Sequence, residues 1–127
     1  MIKVMLVDDS PVILSVIESI IRTEVKHDIE LLPFLDPSLA KEKFLNISPD
    51  FVITDIDMPN VSGFELIEYI KSVASIPILA MSGSSFDDNC TDTILHCSTL
   101  YGADHKILKS ELSEKFSELV TEIITTL

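Results

Sequence analysis

Five times along the chain a short apolar run gives way to a longer amphipathic segment, and this alternation limits the fold more than any other feature. Lys3-Val4-Met5-Leu6-Val7 reads as a buried strand stopped by Asp8-Asp9. Ser10-Pro11 then opens a helix, Ser as N-cap and Pro at the first helical position. Val12, Ile13, Val16, Ile17, Ile20 and Ile21 give that helix a broad apolar face at helical spacing. Ile29 to Leu35 is a second strand, and Pro33 assigns it to a sheet edge. Asp36-Pro37-Ser38 opens a helix carrying Leu39, Phe44 and Leu45, and Phe51 to Thr54 forms the third strand. A third helix after Gly63 carries Phe64, Ile67 and Ile70, and Ile76 to Met81 is the fourth strand. A fourth helix ends near Gly102, Ile107-Leu108 is a short fifth strand, and the last helix carries Leu112, Phe116, Leu119, Val120, Ile123 and Leu127 on one side. Alternating units of this kind imply an α/β, doubly wound fold, a parallel sheet with helices on both faces, because right-handed crossovers cover both.

A chain of 127 residues is most simply one domain, 1–127, with enough core to fold without disulfides or metal staples. Its residues are 46% hydrophobic and only 6% aromatic, with no Trp, which suits an aliphatic core better than a base-stacking platform. The formal charge of −12 opposes direct binding to nucleic acid or to an anionic membrane. Cys90 and Cys97 form no CxxC and have no His at zinc-finger spacing, so they read as reduced thiols of a cytoplasmic protein. No apolar run approaches the ~20 residues that span a bilayer, and Met1-Ile2-Lys3 opens directly into a strand, so neither signal peptide nor anchor is expected.

In open parallel sheets ligands bind outside the carboxyl ends of the strands. Strand one ends in Asp8-Asp9, strand three in Asp55, strand four in Ser82 and strand five in Lys109. One acid at a strand end ordinarily caps the next helix, as Asp36 is expected to do. Three carboxylates, a hydroxyl and an ammonium at one rim need another explanation. The carboxylates repel one another in an empty site, and a hard divalent cation relieves this. Oxygen-only ligands with water completing the shell point to Mg2+ rather than a transition metal. A metal, a lysine, a hydroxyl and a forward-pointing carboxylate are the parts of a phosphoryl-transfer site, with Asp55 as nucleophile. Ser82 can bind a phosphoryl oxygen, and Gly83 leaves room for the group to enter.

Across essentially the whole chain these residues resemble the receiver domains of two-component response regulators. The resemblance rests on the acid pair in MLVDDS, the aspartate in ITDIDMP, the hydroxyl residue in ILAMSG and the lysine in GADHKILKS. It implies a flavodoxin-like fold with five helices and strand order 2-1-3-4-5, and a cytoplasmic phosphorylation switch. Asp55 would be the phosphoacceptor, Asp9 a direct Mg2+ ligand and Asp8 a ligand acting through water. The backbone carbonyl of Asp57 would complete the protein's metal ligands, Ser82 would be the switch hydroxyl, and Lys109 the partner of the phosphoryl group. A sensor histidine kinase or a phosphotransfer protein would donate the group, and the protein would catalyse its own phosphorylation and slow hydrolysis. Output would run through the face of helix four, strand five and helix five to a downstream protein.

The sequence departs from that family in three places. Lys106 stands where an aromatic residue is common on strand five. Ser110 stands where a proline, often in a cis peptide, usually follows the lysine; a non-proline cis bond costs about 3 kcal/mol, so a trans peptide and a differently shaped loop are expected. The segment from Ser82 to Lys109 is several residues longer than usual, with the excess around Ser84 to Asp92 or in the fourth helix. Two other readings stand beside the receiver. Asp55-Ile56-Asp57 also fits the D-x-D strand end of haloacid-dehalogenase-type phosphatases, although the acid pair here precedes the nucleophile. A phosphorylation-independent pseudo-receiver would keep the fold as a binding module without the chemistry.

Overall fold

A computed structural model of the chain describes residues 1–56, 63–83 and 102–127. Five strands, β1 (Ile2–Val7), β2 (Ile29–Phe34), β3 (Phe51–Asp55), β4 (Ile78–Ser82) and β5 (His105–Leu108), form one sheet in the order β2-β1-β3-β4-β5. Every neighbouring pair is parallel, with Leu6 opposite Ile53, Ile53 opposite Leu79 and Met81 opposite Ile107. β2 is an edge strand, where exposed Pro33 withholds a backbone donor from solvent rather than from a neighbour.

Side chains alternate across a strand, so each apolar run feeds two cores. Val4, Leu6, Phe51, Ile53, Leu79, Met81 and Ile107 pack against α1 (Pro11–Glu24) and the C-terminal helix (Leu112–Thr125). Met5, Val7, Val52, Ile78 and Ala80 pack on the other face with α2 (Pro37–Ile47) and α3 (Gly63–Val73). The doubly wound arrangement expected from the alternation is therefore present. The described residues hold four helices and a 3-10 turn at Lys109–Glu111. The expected fourth helix, with Cys90 and Cys97, lies outside them, as does the lengthened stretch from Ser84 to Asp92.

Both caps form as read. The Ser10 hydroxyl accepts from Ile13 N at 3.4 Å and the Asp36 carboxylate from Ser38 N at 2.9 Å, with Pro at the start of each helix. The apolar faces are narrower than the sequence suggests. On α1 only Ile17, Ile20 and Ile21 are buried, while Val12 and Val16 face out. On α2 the contact is made by Ala40 and Phe44, and Leu39 and Leu45 are exposed, because a helix lying on a sheet has room for one stripe.

β4 begins at Ile78 rather than Ile76, and the reason is polar. The Lys71 ammonium takes Ile76 O at 2.7 Å and Asp104 Oδ2 at 2.7 Å, and that same carboxylate oxygen accepts from Ile78 N at 2.8 Å. Asp104 N in turn donates to Ile78 O at 2.9 Å, tying the entrance of β5 to that of β4.

At the opposite end of the sheet, α3 starts against the end of β3. A Cβ on Gly63 would overlap the carbonyl oxygen of Asp55 and the Cα of Ile56, both backbone atoms that cannot swing aside. Gly63→Ala is therefore expected to destabilise the fold by about 1–3 kcal/mol, the usual penalty of overpacking. Urea unfolding of the two proteins measures it, and equal midpoints would show that α3 can retreat freely.

Candidate functional site

The rim read from the sequence is assembled by the sheet's register. β1 runs into Asp8 and Asp9, and its neighbour β3 ends in Asp55. Ser82 closes β4, one position beyond Met81, the register partner of Asp55. Lys109 follows β5.

One carboxylate oxygen from each of Asp8, Asp9 and Asp55 lies within 4.8 Å of the others. Asp8 is fully buried, Asp55 is 2% exposed, and Asp9 is open to solvent. Oδ1 of Asp8 accepts from Ser10 N at 2.9 Å, which orients the carboxylate and shapes the entry to α1. Lys109 Nζ lies 2.8 Å from Asp8 Oδ2 and 3.1 Å from Asp55 Oδ2. Burial acts to lower the pKa of Lys109, but the close contact with the Asp8 carboxylate and the neighbouring charge of Asp55 outweigh that, and the net shift is upward. Lys109 is therefore a cation throughout the physiological range.

The set fits a hard divalent cation. Among the described residues, three carboxylates face one ammonium, a formal excess of negative charge. The contact from Lys109 to Asp8 Oδ2 is close enough for an ion pair but not aligned for a hydrogen bond, so this buried oxygen keeps accepting capacity. Asp9, on the solvent side, leaves the position open to water. All donors are oxygens, as Mg2+ requires. The expected fourth ligand, the backbone carbonyl of Asp57, lies outside the described residues.

Ser82 is 1% exposed, and its hydroxyl donates to Gly83 O across a long 3.4 Å. Thr54, fully buried, donates from Oγ1 to Asp55 O at 2.9 Å and so steadies the peptide that carries the central carboxylate. Lys106 is exposed on β5, and His105 is half-buried beside it. The described residues contain no cis peptide bond; Lys109–Glu111 is a 3-10 turn.

Glu111 escaped the sequence reading. Its Oε1 accepts from Leu108 N at 3.0 Å and its Oε2 from Lys115 Nζ at 2.6 Å. The signal available was a glutamate three residues past a strand end and four before a lysine, the spacing of a helical ion pair. The strand partner, a backbone N–H, carries no mark in the sequence.

Comparison with known proteins agrees with this geometry. A family model described as a response regulator receiver domain matches residues 4–121. Of solved structures, the response regulator domain of Thermotoga maritima CheB is 28% identical with a TM-score of 0.78, covering 98% of this chain and 95% of that one. A response regulator from Desulfuromonas acetoxidans, 23% identical with a TM-score of 0.80 over 100% of this chain and 99% of its own, supports the fold alone. Protein-glutamate methylesterase/protein-glutamine glutaminase 1 of Geobacter metallireducens is 34% identical over 82 residues, 64% of this chain and 22% of that protein. A second such protein, from Methanospirillum hungatei, is 37% identical over 86 residues, 65% of this chain and 23% of its own length. The matched stretch thus spans less than a quarter of these curated relatives. No described helix is long and apolar enough to cross a membrane. The family match sets aside the haloacid-dehalogenase-type reading: the chain belongs to the response regulator receiver domains of two-component systems.

Proposed function

We propose that Asp55 is the phosphoacceptor of a signalling switch, with Asp8, Asp9, Asp55 and the carbonyl of Asp57 holding Mg2+ and Lys109 and Ser82 receiving the phosphoryl oxygens. The observation that carries this reading is the single ammonium of Lys109 placed 2.8 Å from Asp8 and 3.1 Å from Asp55, beside three converging carboxylates. Receiver domains bind Mg2+ at such an acidic pocket, and the bound ion supplies charge neutralisation at the phosphoryl oxygens.

A carboxylate oxygen of Asp55 attacks the phosphorus of a phosphohistidine on a sensor histidine kinase or a phosphotransfer protein. The P–O bond forms, the P–N bond breaks, and its electron pair stays on the imidazole, which takes a proton. Lys109 then exchanges its contact with the Asp55 carboxylate for the more highly charged phosphoryl oxygens. The Ser82 hydroxyl exchanges its long bond to Gly83 O for a phosphoryl oxygen. Hydrolysis reverses the modification: water attacks phosphorus, the bond to Asp55 breaks, and inorganic phosphate leaves. Rearrangement of Lys109 and Ser82 shifts the population of the face built from the helix expected between β4 and β5, β5 itself and the C-terminal helix, where a downstream protein binds. Within this reading residues 1–127 act as one cytoplasmic receiver unit that catalyses its own modification without turning over external substrates.

Incubation with Mg2+ and acetyl phosphate, followed by intact-protein mass spectrometry, is expected to give one phosphoryl adduct on the parent and none on Asp55→Asn or without Mg2+. An adduct forming on Asp55→Asn at the parent's rate would refute the assignment. No adduct on the parent, with beryllofluoride also silent, would favour the pseudo-receiver. Lys109→Met, assayed at saturating Mg2+, should slow adduct formation by about 10- to 100-fold, the worth of one charge-assisted hydrogen bond in the transition state; an unchanged time course would remove Lys109 from the chemistry. Mg2+ itself should raise the thermal midpoint of the parent, by the equivalent of about 2.7 kcal/mol at a hundredfold excess over Kd. Asp9→Asn should largely abolish that rise in differential scanning fluorimetry.

A further inference from the structure

Lys109 reaches the buried carboxylates from the end of a four-residue strand that, among the described residues, pairs on one side only, with β4. Such a strand end is weakly held, since half of its backbone groups find no neighbouring strand. The 3-10 turn Lys109–Glu111 follows at once, and the Glu111 side chain folds back across it. Glu111 Oε1 takes the backbone N–H of Leu108, the residue before Lys109, and Oε2 takes the Lys115 ammonium one helical turn further on. Both oxygens are thus committed, one to the strand and one to the C-terminal helix, and Lys109 lies inside the loop they close. We propose that Glu111 is a positioning residue for Lys109, clamping the end of β5 to the C-terminal helix so that the ammonium is presented to Asp8 and Asp55.

The bond from Leu108 N is the reach-back half of a capping box on the 3-10 turn, and Glu111 does more than cap, because its second oxygen holds Lys115 on the C-terminal helix. The pKa of Glu111 is held below the usual carboxylate range, first by the hydrogen bond from Lys115 and then by that from Leu108, so the clamp stays charged wherever the switch works. The inference rests on the reading of Asp55 as acceptor and Lys109 as its partner, and it adds a residue that touches neither substrate nor metal.

The test is a cycle of variants on the full chain, read by adduct formation with acetyl phosphate at saturating Mg2+ and by acetylation of Lys109 with acetic anhydride. Glu111→Ala removes both bonds, and Glu111→Asp keeps the charge but is one methylene too short to reach Leu108 N. Both are expected to slow adduct formation by at least about fivefold, the worth of the lost bond to Leu108 N, and to raise the acetylation of Lys109. Glu111→Gln keeps an acceptor for Leu108 N, although its amide nitrogen cannot accept from Lys115, and should lose clearly less than Glu111→Ala, about twofold. In a Lys109→Met background Glu111→Ala should add nothing to the loss, because a residue acting through Lys109 has no route left. Parent-like rates and acetylation in both Glu111→Ala and Glu111→Asp would overturn the proposal. So would an equal fold-loss in the Lys109→Met background, which would mark a general structural effect. If the parent itself takes no phosphoryl group, the acceptor assignment fails; acetylation then decides the clamp alone, increased Lys109 reactivity supporting it and unchanged reactivity overturning it.

Discussion

The Lys109 ammonium sits between a fully buried Asp8 and a nearly buried Asp55, and the upper rim of the sheet depends on it. Carboxylates this deep lose most of their hydration and repel each other, and the effective penalty is several kcal/mol per buried ion. One cation shared between them offsets part of this but leaves a formal negative excess with the third acid, Asp9. Among the described residues the site is thus short of positive charge, the condition that suits a hard divalent cation.

That pairing demands a particular sheet. Neighbouring strands lie about 4.8 Å apart, so a side chain from the end of β5 must pass β4 to reach β3 and β1. Lysine, with a four-carbon stem and a charge at its tip, can span that gap while burying its methylenes. The order β2-β1-β3-β4-β5 places the acids on adjacent central strands and the lysine at the edge. A one-residue slip of β5 would turn Lys109 to the other face. Carboxylate–lysine pairs stand at both ends of this weakly held strand. Asp104 and Lys71 tie its entrance to β4, and Glu111 and Lys115 tie its exit to the C-terminal helix. The two aliphatic cores supply the rigid floor, and α3 approaches so closely that only a glycine fits at position 63.

Much of this was legible in the residues. Continuous apolar runs such as Val4 to Val7 and Phe51 to Ile53 are what doubly covered parallel strands require, and the Ser10-Pro11 and Asp36-Pro37 pairs marked two helix starts. Asp8, Asp9, Asp55, Ser82 and Lys109 stood out because ionic and hydroxyl groups at the ends of apolar strands are expensive without a purpose. Less legible was which apolar residues face inward: Val12, Val16, Leu39 and Leu45 share helices with buried neighbours yet lie outside the single stripe each helix can bury. The true start of β4 was hidden for a related reason, since its first backbone N–H is taken by Asp104, 26 residues away.

What the sequence determined by itself was the class of fold and the chemical inventory of the rim, because periodicity and strand-end residues are local properties of the chain. Only the tertiary structure decided which inventory members meet. Asp8 to Lys109 is a contact between the first strand and the turn after the last one, and its 2.8 Å separation follows from strand order, register and the turn at Lys109–Glu111 together. Glu111 shows the limit most clearly: its partner is a backbone N–H that every residue but proline possesses. No side-chain pattern distinguishes that donor until the fold brings it within reach.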